Sequence, residues 1–238
     1  MSDLTSPELR AALSRRDVRS LTDHELLAGL LSYTVPRGAA RLAETLLDTF
    51  GTLSGVLTAT DEQLKALSLT DHTVCLCRML LPAYGRALLS EIPRDTVFDS
   101  VGKIGDFLTR LFCGDTVEKV YLMLLKENYT LLTCRLVAVG SVNSASLNTR
   151  FLVEAALFAG ARFAVLAHNH PGGSPSPSPN DIGTTVNLKN AFESIGVSLL
   201  EHIVVAGERY APILLSCDGV CREAPACFYD FPEGSPED

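Results

Sequence analysis

Residues 162–195 constrain this chain more than any other stretch. Arg162 to His170 reads as a strand with Val165 and Leu166 in the core, and it ends on His168-Asn169-His170. Pro171, Gly172 and Gly173 then turn the chain sharply, because glycine permits and proline presets the required backbone angles. Ser178 is a good helix N-cap and Pro179 is favoured at the first helical position, so a helix runs from Pro179 to about Ile195. A strand end and a helix start are therefore tied together by one short loop.

Chemistry follows from that topology. The two-residue period of a strand puts the imidazoles of His168 and His170 on one face. Asp181 falls in the first turn of the returning helix and can point back at both. Two histidines and one carboxylate leave a fourth tetrahedral position open, the arrangement of a catalytic zinc site. Each part alone has a plainer reading. A His-x-His pair on a strand is often structural, Asp181 suits the helix dipole, and Ser178 suits a cap. Their combination points to a metal.

The rest of the chain divides in two. Residues 1–93 read as a small helical domain. Thr22 to Glu25 and Thr60 to Gln63 are capping boxes, Ala39 to Phe50 is amphipathic and stopped by Gly51, and a long helix runs from about Thr73 to Glu91 before Pro93. Residues 92–98 serve as linker. Residues 99–112 look helical, Glu118 to Leu125 and Thr130 to Val139 read as strands, Thr149 to Ala159 as a helix, and Leu199 to Val205 as a strand. Strands and helices of these lengths suggest an α/β or α+β fold class for residues 99–222. The Pro-rich acidic tail, 223–238, is expected to be disordered.

Apolar residues make up 47% of the chain, enough for a sizeable core. No run approaches the roughly 18 residues of a spanning helix, and the N-terminus has no secretory core, so a cytoplasmic location is expected and no membrane partner. The net charge is −8. Residues 1–94 hold 10 basic and 11 acidic residues and the remainder hold 10 and 17, so neither part has the basic footprint of a nucleic-acid binder. Seven cysteines form no CxxC pair. Cys217, Cys221 and Cys227 invite reading as soft-metal ligands, but their spacing matches no zinc ribbon, and reduced thiols are the simpler reading.

The string His168, His170, Ser178, Asp181 resembles the His-x-His, seven residues, Ser, two residues, Asp signature of the JAB/MPN (JAMM) zinc metalloproteases. The fuller HNHPGGSPSPSPND is similar to the RadC branch of that superfamily, as are LLEHIVVAG at 199–207 and LTDHELLAGLL near the N-terminus. The resemblance implies a JAB/MPN-like metalloprotease domain over 99–222 behind a helix-hairpin-helix-like domain. It implies Zn(2+) held by His168, His170 and Asp181, and a protein or peptide substrate cleaved at an amide or isopeptide bond.

It also implies an upstream glutamate as general base and proton shuttle. Glu118, at the start of the VYLMLL strand, fits the position, with Glu127 and Glu154 as alternatives. Ser178 would donate to the developing oxyanion. His202, beside Glu201, is read as a buried histidine bonded to a neighbour rather than a further ligand, and Asn169 as structural. His24 and His72 are read as surface or helix-end residues. The chain departs from the family in two places: ALSLTDHTV at 66–74 has no glycine where a phosphate-binding hairpin turn is expected, and Thr149-Arg150-Phe151 lacks the acid of a Pro-Arg-Glu segment. The second reading is a DNA-repair-associated accessory protein with a structural or regulatory metal domain. Metal-dependent phosphodiester cleavage is a third, weaker one, because a single zinc with one glutamate suits carbonyl attack better.

Overall fold

The computed structural model describes residues 5–140 and 148–217. Cys221, Cys227 and the tail at 223–238 lie outside them, as does the side chain of Cys217. The chain forms two compact units, Met1–Tyr84 and Gly85–Asp238.

The first unit is helical. It contains α1 (Ser6–Leu13), α2 (Asp23–Leu31), α3 (Ala39–Phe50), α4 (Leu53–Leu57), α5 (Asp61–Ala66) and the start of α6 (Asp71–Ser90). The boxes at Thr22/Glu25 and Thr60/Gln63 close as the sequence indicates, and a third forms at Thr5/Glu8. Gly38 and Gly51 bracket α3 in positive-φ conformations that favour glycine. Leu27, Leu31, Ala43, Leu46, Val56 and Leu64 form the core. The glycine-free stretch at 66–74 still turns tightly between α5 and α6, with Ser68 at φ 63° taking the left-handed conformation.

The second unit begins with the end of α6, continues through α7 (Val101–Leu111) and is built on a five-stranded sheet. Its strands are β1 (Lys119–Leu125), β2 (Leu131–Val139), β3 (Phe163–Asn169), β4 (Ser198–Ala206) and β5 (Arg209–Pro212), in the order β2-β1-β3-β4-β5. α8 (Thr149–Ala159) precedes β3, and α9 (Pro179–Glu193) connects β3 to β4. That pair is parallel and every other neighbouring pair is antiparallel. A short α10 (Leu214–Cys217) ends the described residues.

Both faces of the central strands are covered. Leu122, Leu124 and Leu166 pack with Leu152 of α8 and with Leu188 and Phe192 of α9. Met123, Val165 and Ile203 pack with Ile104 and Leu108 of α7. Two-sided burial is why β1 and β3 read as continuous apolar runs rather than alternating ones. β5 is four residues long and contains Arg209 and Pro212, so it gives no apolar signal of its own. α9 ends at Glu193, two residues before the sequence reading, because Ser194 caps it and Gly196 turns away at φ 75°.

Candidate metal centre

β3 ends at Asn169, so His168 sits in the sheet and His170 just beyond it. The ladder still reaches His170, whose amide donates to the Val205 carbonyl at 2.8 Å. His168 pairs with Val120, a residue of the face covered by α8 and α9. Its imidazole therefore points toward the start of α9.

Ser178 opens that helix with a reciprocal cap. Its amide and hydroxyl donate to Asp181 Oδ2 at 2.8 and 2.7 Å, and its Oγ accepts from the Asp181 amide at 3.2 Å. So held, Asp181 Oδ1 stands 3.5 Å from His168 Nε2, and Oδ2 stands 3.8 Å from His170 Nε2. The two Nε2 atoms are 3.0 Å apart. His168, His170 and Asp181 thus bring three ligand atoms within 4.8 Å of one another, a group that could hold a metal ion.

The donor set suits a small divalent cation. His170 Nδ1 lies 2.9 Å from the Ser174 carbonyl, which can only accept, so Nδ1 is assigned the proton and Nε2 the lone pair. Nitrogens on one tetrahedral zinc lie roughly 3.3 Å apart, given Zn–N of about 2.0–2.1 Å. Burial opposes ionisation of Asp181. The hydrogen bonds from the Ser178 hydroxyl and amide favour the charged form, and the carboxyl is held below the usual range. The aspartate is charged when a cation arrives.

His202 on β4 is not among these three. It is fully buried, with Nε2 2.8 Å from His168 Nδ1 and Nδ1 2.6 Å from Thr185 Oγ1. Burial pushes its pKa well below the ordinary value and so favours the neutral ring. Thr185 was not singled out in the sequence. The available signal is its place four residues after Asp181, on the same helix face.

Glu118 is half-buried and immediately precedes β1. Extending the register that sets Val120 against His168 brings it opposite His170, at the same end of the sheet and on the imidazole face. Asn169 holds the chain on either side of it, as its carboxamide accepts from the Lys119 amide at 2.7 Å and donates to the Val117 carbonyl at 3.1 Å. Glu127 is exposed in the β1–β2 turn. Glu154 pairs with Arg150 at 2.8 Å on α8. His24 bonds the Ala40 carbonyl at 2.9 Å, and His72 is exposed in the first turn of α6.

The RadC-like JAB domain matches residues 98–214, the stretch that contains all of these groups. A UPF0758 protein of Methylibium petroleiphilum is 35% identical, over 83% of this chain and 90% of its own length. One from Variovorax paradoxus is 34% identical over 85% and 92%, and one from Carboxydothermus hydrogenoformans is 33% identical over 84% and 90%. No helix among the described residues is long and apolar enough to cross a membrane.

Proposed function

The chain belongs to the RadC-like JAB-domain family, and on that premise we propose that it is a zinc-dependent hydrolase cleaving an amide or isopeptide bond. The observation that supports this reading is the convergence of His168, His170 and Asp181, three electron-pair donors with no proton assigned between the two Nε2 atoms by His170.

His168, His170 and Asp181 would hold the ion. Zinc at such a site supplies Lewis acidity toward a carbonyl and lowers the pKa of a water toward neutrality. Glu118 takes the proton of the attacking water on its carboxylate and later delivers it to the leaving amine. Ser178 turns its hydroxyl proton from Asp181 Oδ2 to the oxygen of the scissile carbonyl, where negative charge develops; donors of this kind contribute about 3–4 kcal/mol. The Ser178 amide stays on Asp181, so the ligand is still held while the hydroxyl is engaged.

The experiment is metal analysis of the purified chain beside His168→Ala and Asp181→Ala, with a screen on peptide and isopeptide libraries with and without chelator. The expected result is about one zinc per chain, lost in both variants, and chelator-sensitive cleavage. Unchanged zinc in both variants removes the site. A salt-dependent shift of duplex or branched DNA without any cleavage would replace this reading with the DNA-associated one.

A further inference from the structure

Two side chains behind the ligands, His202 and Thr185, form a chain of hydrogen bonds that starts on one ligand residue and ends on another. His168 Nδ1 meets His202 Nε2 at 2.8 Å. His202 Nδ1 meets Thr185 Oγ1 at 2.6 Å, and Thr185 Oγ1 meets the backbone carbonyl of Asp181 at 2.6 Å. Asp181 therefore presents its carboxylate to the ion site and its carbonyl to the relay.

Each contact is short enough to need a proton, and because a fully buried His202 with no carboxylate bonded to its ring stays neutral, only one assignment supplies all three. The Asp181 carbonyl has no proton, so the Thr185 hydroxyl must donate to it. A hydroxyl has one proton, so the second contact of Thr185 must be filled from His202 Nδ1. A neutral His202 then has a bare Nε2, and the proton between the histidines must sit on His168 Nδ1. His168 Nε2 is left with its lone pair facing the ion site.

We infer that Thr185 and His202 are positioning residues that fix the tautomer of His168, so that its Nε2 is ready to accept a cation before any cation arrives. His170 reaches the same state by a shorter route, through its Nδ1 and the Ser174 carbonyl. Two backbone carbonyls thus set both rings, and two lone pairs face each other 3.0 Å apart. A donating water, a shared proton or a metal ion relieves that arrangement, and with the Asp181 carboxylate alongside, a divalent metal engages all three donors at once. Reversing the relay would put a proton on His168 Nε2 and close the site to metal. Partners of this kind are worth about 10–100-fold in metal affinity.

This inference rests on the metal-binding reading of the site, but its test does not. Two-bond proton–nitrogen correlation spectra of the metal-free protein read each histidine tautomer directly. The expected result is the Nδ1–H form for both His168 and His202 in the wild type and in Thr185→Ser. Thr185→Val should shift both rings toward Nε2–H and weaken zinc binding about 10–100-fold relative to Thr185→Ser. His168 in the Nε2–H form in the wild type overturns the inference without recourse to any variant. So does a Thr185→Val protein matching Thr185→Ser in both tautomer and zinc affinity. A wild type with the expected tautomers that binds no zinc would instead sink the hydrolase reading and leave the relay standing.

Discussion

Asn169 grips the backbone on both sides of Glu118. One carboxamide accepts from the amide of Lys119 and donates to the carbonyl of Val117, so residues 117 and 119 are tied to the His-x-His segment that Asn169 belongs to. The residue between the two ligands thereby positions the residue proposed as general base. Asn169→Ala removes the partner of two backbone groups in part-buried hydrogen bonds, which costs up to about 1–3 kcal/mol each where no water replaces it. The variant is expected to unfold at lower temperature, keep its zinc, and lose hydrolysis disproportionately. Calorimetry, metal analysis and turnover on the same preparation check this. A variant that loses stability but keeps full turnover would detach Asn169 from the chemistry.

Glu118→Gln keeps the shape of the side chain and removes the base. General acid–base catalysis is worth about 10²–10⁴-fold, so turnover should fall by that range with metal content unchanged. Loss of metal in this variant would make Glu118 a ligand instead.

Most of the scaffold around these residues was legible in the sequence because local chemistry determines it. Ser178-Pro179 marks the start of α9, Gly160 at φ 62° ends α8, and the apolar runs mark β1 and β3. His168, His170 and Asp181 were legible for the same reason: a strand period and a helix cap fix where all three point. The relay was not. His168, Thr185 and His202 come from β3, α9 and β4, and only the parallel pairing of the two strands, with Leu166 against His202, brings them together. Nor could spacing show what Asn169 holds, since its partners lie 50 and 52 residues away.

Glu201 gives a pH signature to stability. Its carboxylate is fully buried, and burial pushes its pKa from 4.5 up to about 7 despite the amides of Leu214, His202, Leu215 and Ile213 that donate to it. The folded state thus binds the proton more tightly than the unfolded state. Its contribution is fully present below about pH 4.5 and is lost as pH rises through about 7. Metal-free wild type should therefore lose stability across that window relative to Glu201→Gln, which cannot titrate. Denaturant unfolding of both proteins at a series of pH values measures the difference. Parallel curves from pH 4.5 to 7 would show that Glu201 stays ionised when buried.

Ser68 is the last case, and it concerns the turn between α5 and α6. The residue sits at φ 63°, a conformation that costs a residue with a side chain about 1–2 kcal/mol and glycine almost nothing. Its amide donates to the Lys65 carbonyl at 2.9 Å, and that of Leu67 to the Leu64 carbonyl at 3.2 Å, so the turn is held by backbone bonds that any residue could make. Two terms oppose each other in Ser68→Gly. Relief of the left-handed strain stabilises the fold, while the freer unfolded chain of a glycine offsets part of that gain by about 0.4–1 kcal/mol. The first is the larger at the middle of each range, so the variant should be more stable by about 0–1.6 kcal/mol, the balance of those two ranges. Ser68→Ala retains the strain and gains nothing. Urea midpoints of the three proteins decide the matter, and a Gly variant no more stable than the Ala variant would show that Ser68 is not strained in solution.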